Sequence, residues 1–398
     1  MKRYLDTHEH IDFKVDLRSA MPSTWVLLGE AQSKCQHIGR ALLSPAAANE
    51  LLQVYLAKGM LATTAIEGNT LSEVEARKIL DGTLDLPPSR EYLEKEIENV
   101  LTAYNLARSE LLEDPDLPFT VERLQEYNRL ILEGLEVEKG VVPGRIREHS
   151  VVVGSYRAAP AEDAEYLLAR LCDWLNGSEL GAPTDAPQLA APLSIVKAVV
   201  AHLYLAWIHP FGDGNGRTAR LLELQILLTA GFPVPTCQLL SNHYNQTRSE
   251  YYRQLALSSK EPHGLLSFLA YAAQGFVDQL REQLGVIWEQ QFEDRWAQHV
   301  HQTFRDRRSE TDIRRLRLVL DLSRSFHASG EPVSKRAIPD LTPRLAAAYA
   351  TKTEKTLSRD LNAIGELGLL RQEEGGWVPA DDTILGLLPR AVDGVLWE

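Results

Sequence analysis

The chain has 398 residues, 44% of them apolar and 24% charged, a composition that allows a large core plus a second domain and excludes collagen-like, disordered and disulfide-scaffold classes. Its 42 Lys and Arg against 55 Asp and Glu leave a formal charge of -13, so the whole chain repels phosphate polymers and anionic lipid, and any nucleic-acid surface must be local. Cys35, Cys172 and Cys237 lie far apart with no CxxC or Cys/His ligand spacing, which fits reduced thiols and a cytoplasmic location.

The N-terminus, MKRYLDTHEHIDF, carries acids and histidines where an export signal needs an apolar stretch. Apolar residues at helical spacing then predict helices over 46–67, 72–81, 91–113, 121–134, 162–176, 188–208, 217–230, 248–257 and 264–292. Ser44 and Pro45 suit an N-cap and first helical position, and Thr70-Leu71-Ser72-Glu73 reads as a capping box. SVVVGS, residues 150–155, is a β-branched run between turn-rich stretches and predicts a small hairpin. The window Ala190 to Phe211 approaches membrane length, but Ser194, Lys197, His202 and His209 are costly in hydrocarbon. A buried central helix is expected there, with no membrane partner.

A boundary is expected within 295–312, where QHVHQTFRDRRSETD is polar and charge-dense. Beyond it the pattern predicts one helix at RRLRLVLDLSRSF, a short one at Val333 to Leu341, a third at Thr353 to Leu367, and two strands around Gly375-Gly376. That order divides the chain into an N-terminal helical region (1–110), a central core (111–295) and a C-terminal domain (310–398). The predicted fold class is mainly α.

The segment His209 to Arg220, HPFGDGNGRTAR, concentrates chemistry. Gly212, Gly214 and Gly216 let the backbone curl around a ligand, and the helix that follows aims unpaired N–H groups back at the loop, a geometry suited to phosphate. Arg217 and Arg220 put positive charge on its first turn, opposing the helix dipole by about 0.3 to 1 kcal/mol each, so an anionic partner is expected. No Lys-Ser or Lys-Thr follows the glycines as a Walker loop requires. GNGRTA fits GxGxxA but lacks a preceding strand and a later acid, which excludes a dinucleotide fold. Asp213 offers the hard oxygen that Mg²⁺ takes alongside phosphates, and His209 can accept a proton near neutral pH.

This loop resembles the Fic family signature HxFx[DE]GNGRxxR at every fixed position, and the resemblance covers roughly residues 45 to 275. It implies an all-α core with a β-hairpin flap, and transfer of AMP from MgATP, with Mn²⁺ as the alternative ion, to a protein Ser, Thr or Tyr hydroxyl, the protein itself included. His209 would be the general base and Asp213 the metal ligand. Asn215 with the Gly214 and Gly216 amides would cradle the α- and β-phosphates, and Arg217 and Arg220 the leaving phosphates. GRIREHSVVVGSY resembles the family's flap, so Val153, Gly154, Ser155 and Tyr156 would line the nucleotide and align the target by strand addition. Tyr251 and Tyr252 resemble its tyrosine pair near adenine, whereas Ser259 stands where some relatives have Asn.

TTAIEGN resembles the family's inhibitory motif [ST]xxxE[GN], with Thr63, Glu67 and Gly68 in the fixed positions. A negative charge near a helix C-terminus is misplaced, and pairing with Arg220 would offset both residues' unfavourable dipole positions. The C-terminal order resembles a winged helix, with Leu357, Leu361, Ile364 and Leu367 as its buried stripe and Lys352, Thr353, Lys355, Thr356 and Arg359 outward toward DNA. A local excess of eleven basic over seven acidic residues between Thr311 and Arg371 supports that face, while Asp360, Glu366, Glu373 and Glu374 lie close enough to weaken its field. The leading expectation is a self-inhibited adenylyltransferase. A nucleotide-sensing DNA-binding regulator and net removal of AMP are the alternatives, and a homodimer is left open.

Overall fold

The computed structural model describes residues 2–382 apart from Ser155 and Pro262. It divides into two compact units, Met1–Ile287 and Trp288–Glu398. The first is built from α1 (Tyr4–Thr7), α2 (Pro22–Gly39), α3 (Pro45–Ala65), α4 (Glu73–Leu80), α5 (Glu91–Glu113) and α6 (Val121–Ile131). The hairpin β1 (Val152–Val153) and β2 (Tyr156–Arg157) follows, and then α7 (Ala161–Asn176), α8 (Ala190–Ile208), α9 (Asn215–Thr229), α10 (Leu239–Gln246) and α11 (Arg248–Ser258). Helix α12 (Gly264–Thr303) completes this unit with its first half.

Helix α8 is buried on every side, with Ile195, Val199, Leu203 and Leu205 at 0% exposure, as its unbroken apolar run predicts. Pro187–Ile208 is long and apolar enough to cross a membrane by composition, and here it is the core helix of a larger bundle. Each fully buried Leu or Val contributes about 1.5 to 3 kcal/mol, so this one helix anchors much of the unit. Residues 1–110 do not form a region of their own, contrary to expectation: Tyr55, Met60, Ile97 and Tyr104 enter the same core as α8 and α9.

Local signals set several helix starts. The Ser44 hydroxyl accepts from the Ala47 N–H at 3.3 Å with Pro45 at the first position, and Thr120 caps α6 through the Arg123 N–H. The capping box of α4 is Ser72 with Glu75, two residues later than the sequence suggested, with Ser72 in the extended backbone an N-cap needs. Helices α2 and α10 were not predicted.

The boundary expected at 295–312 is a helix as far as Thr303. Trp296, Val300 and Phe304, spaced by four, form a buried stripe that the surrounding charges hid. They join α13 (Glu310–Ser329), α14 (Pro343–Tyr349), α15 (Glu354–Glu366) and the hairpin β3 (Leu370–Glu373) and β4 (Gly376–Pro379) in the second core. Val333 bridges to Trp377 instead of starting a helix, and of the expected stretch only Ile338–Asp340 is helical, as a 3-10 turn; α14, capped by Thr342 and opened by Pro343, was not expected. Gly376 already pairs with Glu373, so the hairpin turn is Glu374-Gly375, with Gly375 at φ +96°. Residues 383–398 of the predicted C-terminal domain lie outside the described residues.

Candidate active site

The loop between α8 and α9 sits at the meeting of two helix ends. His209 ends α8 in the left-handed region, φ +49°, uncommon for a residue with a side chain, with its N–H bonded to Leu205 O at 2.8 Å. Asn215 closes the loop: its amide accepts from the Phe211 N–H and donates to Phe211 O, both at 2.9 Å. Both ends of the side chain thus have a partner within the loop, which fixes its curl. Gly214 begins α9 at φ +74°, and a Cβ there would lie 2.8 Å from Asn128 Nδ2, which itself donates to Asp213 O.

A cavity of about 540 Å³ opens beside this loop. The structure brings to it Glu67, Val153, Gly154, Tyr156, His209, Gly216, Arg220, Tyr251 and Tyr252, gathered from five separate stretches of sequence. Ser155, expected in the same flap, lies outside the described residues. Antiparallel pairing of Val153 with Tyr156 holds the hairpin, and Val152 and Val153 remain exposed along it.

Arg220 is the most constrained cation here. It is buried, and donates from Nε to Thr63 Oγ1 at 2.8 Å and from Nη2 to Thr63 O at 2.9 Å and Glu67 Oε1 at 2.6 Å. Nη1 lies 3.5 Å from the Tyr251 hydroxyl. Glu67 falls in the turn just beyond α3, whose last residue is Ala65, and Gly68 follows at φ +114°. Partial burial raises the Glu67 carboxyl pKa, but Arg220 first, then Arg217 and Arg248, outweigh that and hold it below the ordinary range. A Cβ at Gly216 would come within 2.5 Å of Glu67 Oε1, so glycine there is what lets the carboxylate reach Arg220.

Arg217 departs from expectation. Its side chain is buried and turned to Asp213 (3.5 Å) and Glu96 (3.8 Å), away from the cavity that Arg220 lines. Glu96 on α5 was not a candidate from sequence, and it supplies the anion that the first turn of α9 requires. Tyr251 is a core residue, stacked on Tyr244 at 4.7 Å with its hydroxyl 2.9 Å from His202 Nε2. Tyr252 is half-exposed, and its hydroxyl donates to Ile66 O, tying α11 to the turn that carries Glu67.

Burial first, and then the Arg147 guanidinium, push the His209 imidazole down to about 4, so it is neutral at pH 7 and able to take a proton. Asp213 keeps 43% of its side chain exposed, and among the described residues no three His, Cys, Asp or Glu side chains gather as a metal cage. One half-exposed carboxylate in the loop that borders the cavity is a donor suited to Mg²⁺, which takes one or two protein oxygens and fills its shell with water and phosphate.

Residues 118–227, which contain both hairpin and loop, match the model of the Fic/DOC family. This segment is similar to a Fic domain. Protein adenylyltransferase fic-1 of Caenorhabditis elegans is 31% identical over 225 residues, 56% of this chain and 40% of that protein; its Caenorhabditis briggsae counterpart is 30% identical over the same shares. The chain thus spans about two fifths of the length of these curated relatives. Among solved structures it resembles C. elegans Fic-1 residues 134–508, with TM-score 0.52 and 26% identity over 66% of this chain and 72% of that one. It shares its fold with a Fic family protein from Desulfovibrio desulfuricans G20, TM-score 0.52 at 21% identity over 90% and 93%.

Proposed function

We propose that the protein is an adenylyltransferase that moves AMP from ATP to a Ser, Thr or Tyr hydroxyl of a protein, itself among the targets. The observation that carries this is the neutral, half-buried His209 at the mouth of a cavity that also holds Arg220 and the flap. In the reaction the target oxygen bonds to the α-phosphorus, the bond from that phosphorus to the bridging oxygen breaks, and pyrophosphate leaves. His209 takes the hydroxyl proton. Arg220 is the cation suited to the leaving phosphates, and the exposed backbone edge at Val152 and Val153 suits an extended target segment that adds a strand. Asp213 would hold Mg²⁺, which when bound neutralises phosphate charge.

Self-inhibition follows from the same geometry: with Glu67 on Arg220, the γ-phosphate loses its cation and meets a carboxylate. The test is incubation with labelled ATP, with GTP, CTP and UTP as competitors, and mass analysis of the protein. An added AMP group on Ser, Thr or Tyr is expected, and unmodified protein under conditions that release Glu67 overturns the reading.

A second reading concerns the C-terminal unit, which we infer to be a winged helix that contacts DNA. Lys352, Lys355 and Arg359 are exposed, while Asp360 faces inward onto Arg314, Arg315 and Tyr349. Of the four acids expected to weaken the outward field, Asp360 is neutralised within the core, while Glu366, Glu373 and Glu374 remain exposed.

A further inference from the structure

Arg147, in the loop that enters the flap, touches no reacting atom in the scheme above, yet its charged side chain is only 4% exposed. Among the described residues it faces no carboxylate within ion-pair distance; main-chain oxygens surround it instead. Nε donates to His209 O at 2.6 Å, Nη1 to His149 O at 2.7 Å, and Nη2 to Ala159 O and, at 3.2 Å, to Ile208 O. Its own N–H donates to Pro210 O at 2.9 Å. Ile208 to Pro210 are the last residues of α8 and the start of the catalytic loop, where carbonyls have no partner within the helix. His149 and Ala159 flank the hairpin. One planar guanidinium therefore caps the negative end of α8, where a cation is favoured, and ties both roots of the flap to the residue that carries the base.

We propose that Arg147 is a positioning residue that couples the flap to His209, so that the flap seats a target strand only while His209 is held in its left-handed conformation. A lysine cannot reproduce this, because a compact ammonium does not span carbonyls on both sides of the hairpin and the loop. The catalytic consequence rests on the adenylyl-transfer reading, whereas the mechanical coupling does not.

Two arms separate them. In the full chain carrying Glu67→Gly, Arg147→Lys is expected to lower kcat for AMP labelling at least tenfold, with ATP affinity by calorimetry within threefold of the parent. Labelling within twofold of the parent overturns the proposal, as does a loss carried wholly by weaker ATP binding. The second arm needs neither activity nor a variant: amide hydrogen exchange on the unaltered chain. Peptides spanning 145–149, 157–160 and 207–213 are expected to open together, at rates within threefold of one another. Opening of the flap roots tenfold or more ahead of the His209 segment overturns the coupling even if Arg147→Lys fails to fold. If the parent takes no label but the three segments open as one, the transfer reading fails and the coupling stands.

Discussion

Glu67 Oε1 lies 2.6 Å from Arg220 Nη2, an ion pair between residues 153 positions apart in the wall of the cavity. Thr63 holds the other edge of the guanidinium, so Arg220 has little freedom to meet a phosphate while Glu67 is present. Glu67→Gly is expected to raise self-labelling at least roughly tenfold, which corresponds to about 1.4 kcal/mol of released inhibition. Equal label on wild type and variant would remove the brake from this account.

His209→Ala in the Glu67→Gly background is expected to cut labelling by about 10² to 10⁴ while ATP still binds, since a positioned general base contributes on that scale. Calorimetry alongside the labelling assay separates the two effects. Undiminished labelling would assign the proton to another group.

The pH profile carries a signature of the burial around His209. The base acts in its neutral form, which predominates above its pKa, so lowering that value to about 4 moves the acid limb downward. For Glu67→Gly, kcat/KM is expected to stay level from pH 7 to near pH 5 and to fall tenfold per unit below about 4. A midpoint near 6.5 would mean that the imidazole titrates as in water.

Stability of the C-terminal unit is expected to depend on Asp360, which accepts from Arg314 and Arg315 at 2.8 Å and from Tyr349 at 2.9 Å. Burial raises its pKa, but hydrogen bonds from Arg314, Arg315 and Tyr349 outweigh that and hold it below the ordinary carboxylate value. A carboxyl with a lowered folded pKa stabilises above the unfolded value of about 3.9, and that contribution is lost as pH falls through its folded pKa. Asp360→Ala is expected to destabilise by the low end of about 3 to 5 kcal/mol, because the arginines keep some water contact. Urea unfolding followed by Trp fluorescence measures it, and a change below about 1 kcal/mol would contradict the network.

For the DNA reading, the full chain is expected to bind duplex DNA at low salt, with log affinity falling against log salt by about 0.9 per phosphate contact. Lys355→Ala with Arg359→Ala should flatten that slope by nearly two contacts. Absence of binding at low salt would assign the exposed face to a protein partner.

Residues adjacent in the chain made part of this protein legible from sequence. The loop HPFGDGNGRTAR, the Ser44 and Pro45 helix start and the apolar run of α8 follow from local spacing and composition, whereas the pairing of Glu67 with Arg220 was expected from the resemblance of TTAIEGN to an inhibitory motif. What sequence left hidden depends on where helix ends meet in space. Arg147 has no periodic signal, and its role exists only because the flap roots and the end of α8 converge on it. Arg217 and Arg220 are equivalent by spacing, yet Glu96 on α5 draws one away and Glu67 holds the other at the cavity. Asn215 and Tyr251 are polar in the sequence and engaged in the fold, one by Phe211 and the other by His202. Trp296, Val300 and Phe304 read as polar surroundings until a second core covers them. In each case tertiary packing decided, because a buried polar or apolar group takes its partner from whichever element lies within reach, and distance along the chain does not encode that reach.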